Sequence, residues 1–428
     1  MNSRWNNFSL LAIMMVMTIV TSNLNWGGNY WQSIIEADGK GYYAYLPASF
    51  IYHDLNFGFF EEIEEEKYYH QNLFYDYRAT SNNQKINKYY CGTALAELPF
   101  FLIAHSYCLL SNEFPADGYA KPYPIMITVA ALFWLFIGLL FAGKLMETYG
   151  VKPPWISVSL AAMVFGTNLF YYTVGEPSMS HVYSSALIAC FVFVGRKFFQ
   201  KQNKMLLPAM ALLLGVIVLI RPTNAVILGS LPFIAGNWRR FMDGIQALKT
   251  YLPVVLLSFV LLLLAVSIQP IIYKLSCGQF FVYSYTGEGF NFLSPHLLDI
   301  LFSYKKGLFL YTPIYLLGIA LAFWVWKKNR YQLVSFVLFF AVLTYLLSSW
   351  WNWWYGGSFS SRVYVDFLSI LMLPIPLFLS QTKLKWVKTW FTLLIFALVA
   401  LCQIQTYQYR YYDIHWEEMT KEKYWNNF

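Results

Sequence analysis

The chain alternates long apolar runs with short polar breaks from one end to the other. Runs at roughly 8–24, 125–146, 155–174, 180–195, 205–220, 222–236, 251–272, 308–326, 331–349, 363–379 and 389–406 carry few charges. Most approach the ~20 residues that a helix needs to cross a hydrocarbon core. A backbone in lipid must satisfy its hydrogen bonds within the segment, so continuous runs of this kind predict helices. A closed barrel needs short alternating strands, which these runs are not. The expected fold class is an all-α polytopic membrane protein with about eleven transmembrane helices, forming one integral membrane domain over residues 1–428. The first run follows Arg4 and lacks a small-x-small cleavage site, so it reads as an uncleaved signal-anchor.

Charge sets the expected orientation. Arg196, Lys197, Lys201 and Lys204 form one basic cluster between runs. Arg239, Arg240 and Lys249 form another, as do Lys327, Lys328 and Arg330, and Lys383, Lys385 and Lys388. Lys144 and Lys152 make a weaker one. All fall on the cytoplasmic side, as the positive-inside rule asks, only if the apolar stretch 92–110 does not span. That stretch holds Glu97, Pro99 and His105, which suits a helix broken by Pro99 and lying in the interface. The N-terminus is then cytoplasmic and the C-terminal tail is outside. A large first extracytoplasmic loop (25–124) with interfacial helices, a second loop (273–307), and the turns 175–180 and 348–362 all share the outer face.

Composition agrees. The chain is 58% hydrophobic and 12% charged, with mean hydropathy +0.44, where soluble domains carry about 25% charge. The net charge of +8 sits in short loop clusters and does not indicate nucleic-acid binding. The five cysteines have no metal-like spacing, and a Cys91–Cys277 disulfide is an open possibility. The run Glu61–Glu66 reads as a solvated face. No internal repeat or nucleotide-binding fingerprint stands out.

A few polar residues need a reason. Asp38 follows the first run, beside Tyr42, Tyr43 and Tyr45, and is either a turn residue of an Asp-Gly pair or a general base at the membrane edge. Glu176 and His181 flank a helix start at Pro177 and face the same side. Arg221 lies between two short apolar runs, and an arginine there is either snorkelling or functional. Pro222 marks a helix break after it, with no partner break elsewhere, which counts against a secondary transporter. In the second loop, Glu288, Lys305 and Lys306 are candidates, the lysines for anionic headgroups or a phosphate. The turn Trp350-Trp-Asn-Trp-Trp-Tyr-Gly-Gly offers Trp353 and Trp354 as sugar-stacking faces, and Gly356-Gly357 permit close approach to the backbone. Arg362 closes it.

Asp38 followed by Tyr42-Tyr43, the stretch Asn87–Phe101 with Gly92 and Pro99, and the Trp-rich Gly-Gly turn before Arg362 together resemble the glycosyltransferase C superfamily. Its members include protein O-mannosyltransferases and aminoarabinose transferases. The resemblance covers the layout of nearly the whole chain. It departs at Gly39, where the family frequently has a second acid. The resemblance implies transfer of a sugar from a polyprenyl-phosphate donor to an acceptor hydroxyl on a lipid, glycan or protein, with inversion, at the outer face of a bacterial inner membrane. Asp38 would be the catalytic base. Arg221, Arg362, Lys305, Lys306 and His181 would hold the donor phosphate. Tyr42, Tyr43, Glu176, Glu288, Trp353 and Trp354 would contact sugar or acceptor. No cofactor is expected, and a divalent metal is left open. The rival readings are an envelope-polysaccharide polymerase, ligase or flippase, and a non-catalytic transporter or assembly protein.

Overall fold

The computed structural model describes residues 2–68 and 73–428; the Arg4 side chain lies outside the description. Among the described residues, eight helices are long and apolar enough to cross a membrane. They are Phe8–Asn25, Gly92–Ser111, Pro122–Thr148, His181–Lys201, Leu252–Cys277, Arg330–Ser348, Arg362–Gln381 and Lys385–Arg410. Four shorter apolar helices, Pro153–Phe165, Leu206–Ile220, Pro222–Ala235 and Ile314–Val325, complete the set. The outer faces are apolar: Leu256, Leu263, Leu264, Trp386, Trp390 and Phe396 are exposed. Lipid is the solvent that suits such faces. This is a helical membrane protein.

The helices differ from the expected runs in several places. The run 308–326 is split at Thr312-Pro313 into Leu308–Tyr311 and Ile314–Val325. The run 155–174 is two helices, Pro153–Phe165 and Leu169–Val174. The stretch 92–110 is not broken by Pro99: Gly92–Ser111 is one continuous helix, with the length and apolarity of the crossing helices. Proline withdraws a backbone donor from the turn before it. Nearby, the Ala96 carbonyl in that turn accepts the Trp134 indole N–H at 3.0 Å. A further difference is a second helix break. The run 363–379 consists of a 3-10 segment Arg362–Phe367, a short helix Leu368–Leu371 and a helix Pro374–Gln381. It pairs with the break after Arg221, where a 3-10 segment Pro222–Ser230 leads into Leu231–Ala235.

The first loop carries a small departure from all-α architecture. Strands Arg78–Ser81 and Gln84–Asn87 pair antiparallel, Arg78 opposite Asn87 and Ser81 opposite Gln84. Asn82 and Asn83 form the turn with φ of 50° and 58°, the left-handed pair that two-residue hairpins favour. The acidic run is a π-helical turn, Glu62–Lys67, and not a wholly solvated face. Glu64 is buried against Lys40, and Glu61 meets Arg78 at 2.8 Å. All five cysteines are buried free thiols, so Cys91 and Cys277 do not pair.

Three glycines set how closely the first loop docks. A Cβ on Gly39 would stand 2.0 Å from Ser178 Oγ, and one on Gly41 would stand 2.2 Å from the Tyr89 ring. At Gly92 the obstruction is backbone, 2.3 Å away at Leu219 and Ile220. Backbone cannot rotate aside, so the Gly92–Ser111 helix touches the end of Leu206–Ile220 only because Gly92 has no side chain. Gly92→Ala is expected to cost about 1–3 kcal/mol, read as a lower thermal midpoint in detergent. An unchanged midpoint would contradict this packing.

Candidate active site

One cavity of about 540 Å³ collects the breaks and loops. Its wall includes Asp38, Tyr42, Tyr89, Arg221, Glu288, Trp350, Trp351, Tyr355 and Arg362, together with Trp416 from the C-terminal tail.

Asp38 is the first residue of the helix Asp38–Phe50, and its carboxylate oxygens accept from side chains and not from the helix's own N–H groups. The preceding Ala37 has φ 46°, an unusual conformation for a residue with a Cβ. The carboxylate turns into the cavity. Tyr89 Oη donates to Oδ1 at 2.7 Å, and Arg362 Nη2 donates to Oδ2 at 2.8 Å. Tyr89 is in turn 2.5 Å from Tyr75 Oη. Burial disfavours the ionised form of Asp38, but Arg362, Tyr89 and Arg221 outweigh it and hold the carboxyl below its ordinary range.

Tyr42 lies one turn after Asp38 and lines the cavity; Tyr43 does not. Tyr43 is fully buried and donates to the Gly118 carbonyl. Tyr45 donates to the Tyr89 carbonyl at 2.6 Å. The two phenols anchor the first loop while Tyr42 faces the space.

Arg221 ends the helix Leu206–Ile220 with extended φ −148° and ψ 112°. The following proline disfavours a helical conformation there, so the chain turns and delivers the guanidinium to the cavity. Arg221 Nη1 stands 3.3 and 3.4 Å from the two ring nitrogens of His181. His181 is buried at the start of its helix, with Nδ1 2.9 Å from Asp366 Oδ1. Asn224 Nδ2 donates to Asp366 Oδ2 at 2.8 Å.

The second loop closes one side. Lys88 Nζ meets Glu288 Oε1 at 2.5 Å, and Trp351 donates to Glu288 Oε2 at 3.1 Å. Of the tryptophan-rich turn, Trp350 and Trp351 line the cavity, whereas Trp353 and Trp354 stand behind it. Trp353 stacks on His296, ring centres 5.6 Å apart. Lys305 Nζ lies 3.6 Å from the centre of the Trp354 ring and 3.7 Å from Glu417 Oε1. Lys306 is buried and donates to the Ser358 carbonyl; burial and then Arg362 push its pKa well down. At Gly357, and at Gly356 with φ 63°, a Cβ would meet nothing within 4 Å, so the turn is open there.

Asp38, Tyr42, Arg221, Glu288 and Arg362 are thus brought to one cavity, while Tyr43, Glu176, His181, Lys305, Lys306, Trp353 and Trp354 stand outside its wall. Sequence reasoning passed over Tyr89, Asp366, Asn224 and Trp416. Asp366 carried a signal, because an acid inside an apolar run marks a functional site by default. Among the described residues no cluster of three or more His, Cys, Asp or Glu can hold a metal ion. No protein-family model matches the chain, and no curated protein is significantly similar to it.

Glu176 and Glu36 stand apart from that wall. Burial raises Glu36 to about 8, reinforced by the nearby Glu176. Burial raises Glu176 to about 7 against the opposing pull of Arg362. Both bind protons in the folded state where the unfolded chain, near 4.5, has lost them. Stability therefore falls as pH rises from about 4.5 towards 8. Asp38 acts in the opposite sense, and only below the ordinary aspartate range. The thermal midpoint in detergent is expected to drop across the neutral range, and Glu176→Gln to flatten part of that drop. An identical slope in the variant would contradict the assignment.

Proposed function

We propose that this protein is a membrane glycosyltransferase that moves a sugar from a polyprenyl-phosphate donor to an acceptor hydroxyl. The observation that carries the reading is the Asp38 carboxylate and two guanidiniums on the wall of a single aromatic cavity, with Asp38 paired to Arg362 at 2.8 Å. The outer face of a bacterial inner membrane and the inverting outcome follow from the family resemblance.

In this mechanism the donor phosphate sits between Arg221 and Arg362. Taking Arg362 releases Asp38 from its ion pair and makes it a stronger base. Asp38 accepts the proton of the acceptor hydroxyl while that oxygen attacks the anomeric carbon. The bond from that carbon to the phosphate oxygen breaks, and its electron pair stays with the phosphate. The two guanidiniums stabilise the charge that builds there. Tyr42, Trp350 and Trp351 offer flat faces to the sugar's C–H surface, and Glu288 offers a hydrogen-bond acceptor on the same wall. The activated donor supplies the driving force, so the reaction needs no nucleotide.

A second reading, transport of an anionic solute, is favoured by the second helix break. Broken helices that meet at a buried polar site are a transporter device, and here Asn224 meets Asp366 at 2.8 Å. A polymerase, ligase or flippase of lipid-linked glycans would use both arginines without needing Asp38.

Purified protein in sealed proteoliposomes, supplied with fluorescent polyprenyl-phosphate sugars and a panel of acceptors, separates these readings. Asp38→Asn is expected to lower turnover about 10²–10⁴-fold, and Arg221→Gln or Arg362→Gln about 10²–10³-fold. Full turnover in Asp38→Asn would contradict the base assignment. Phosphate-sugar movement across the bilayer without bond cleavage would favour transport.

A further inference from the structure

Asp366 is a buried acid that the mechanism above does not use. It is fully buried in the 3-10 segment Arg362–Phe367. A carboxylate in such a place is costly unless its charge is matched. Its recorded partners, His181 and Asn224, come from two other helix starts and breaks. Both oxygens are used by side chains, so among the described residues Asp366 serves as no backbone cap. The cation that answers its charge is Arg221, one imidazole away.

The imidazole is suited to that place. Asp366 Oδ1 accepts from Nδ1–H, which fixes the ring orientation. Arg221 Nη1 is nearly equidistant from both ring nitrogens, so the guanidinium rests against the ring and not on one lone pair. Asn224 holds the other carboxylate oxygen and also donates to Ser184 Oγ at 3.0 Å. The acid is therefore tied to the helix His181–Lys201 twice, and its field is directed at Arg221.

We infer that Asp366, acting through His181, is a positioning residue that holds Arg221 at the cavity wall as a preformed seat for a lipid-linked phosphate. This rests on the reading of the cavity as a phosphate site and adds what keeps that site assembled. An arginine at a helix break beside lipid would otherwise snorkel towards the headgroups. The relay removes that freedom before the ligand arrives. Arg362 needs no such relay, because Asp38 holds it directly.

The test is a double-mutant cycle on affinity, with the full chain in nanodiscs and undecaprenyl phosphate as the probe. Inorganic phosphate is run as the second ligand. Asp366→Asn keeps the shape and removes the charge, and is expected to weaken undecaprenyl-phosphate binding about tenfold or more, as loss of an orienting partner does elsewhere. Arg221→Gln is expected to weaken it at least as much, and the double variant no further than Arg221→Gln alone. Asp366→Asn with Arg362→Gln is expected to be additive. Additive losses with Arg221→Gln, or non-additive losses with Arg362→Gln, would overturn the relay, the latter showing that Asp366 merely shapes its own segment. If Asp366→Asn yields no folded protein, His181→Gln breaks the same relay at the ring and is held to the same criteria.

The two ligands separate this inference from the reading beneath it. Tighter binding of the lipid phosphate with the expected cycle supports both. Equal binding of both ligands with the expected cycle supports the relay and removes the lipid donor. No binding of either ligand to the unaltered protein overturns both.

Discussion

The ion pair between Asp38 and Arg362 joins residues 324 positions apart in sequence. It ties the start of the first loop to the break that opens the segment Arg362–Gln381, and the cavity lies between them. Several local features are conditions for it. Gly39 and Gly41 let the helix Asp38–Phe50 sit against Ser178 and Tyr89. Ala37 adopts a left-handed backbone so that Asp38 can lead that helix. Tyr89 fixes the second carboxylate oxygen. A buried pair of this kind is weak evidence for stability, since desolvation opposes the attraction. Its value lies in what happens when an anion competes for Arg362.

The two arginines are held by different devices. Arg362 has a carboxylate on it directly. Arg221 has one at a distance, through an imidazole. A ligand anion can therefore take Arg221 without displacing a direct partner, while engagement of Arg362 must displace Asp38. In the transferase reading this difference orders the events: phosphate arrives first, and only then is Asp38 free to accept a proton. Aromatic side chains and the Lys88–Glu288 pair line the same cavity, and charges on a wall with so much apolar surface interact more strongly than they would in water.

Much of this could be read from the sequence, for a physical reason. In a chain with so few charges, each ionisable residue beside an apolar run is conspicuous, and Asp38, Arg221 and Arg362 stood out on that basis. Lys305 and Lys306 were conspicuous too, but only three dimensions show them turned to Trp354 and to the Ser358 carbonyl. Tyr89 and Trp416 were invisible among aromatics that make up 20% of the chain. Asp366 was legible as an acid inside an apolar run but was passed over, because that run scores as a single span, whereas the backbone there is a 3-10 segment. The same cause produced the missed second break. Hydropathy reports burial and is blind to whether a buried segment is one helix or three pieces.

The most direct measurement is an experimental structure with undecaprenyl phosphate bound. The account predicts the phosphate between Arg221 and Arg362, the Asp38–Arg362 contact lengthened beyond hydrogen-bonding distance, and the Asp366–His181 contact unchanged. A phosphate bound elsewhere, with Asp38 still on Arg362, would contradict it.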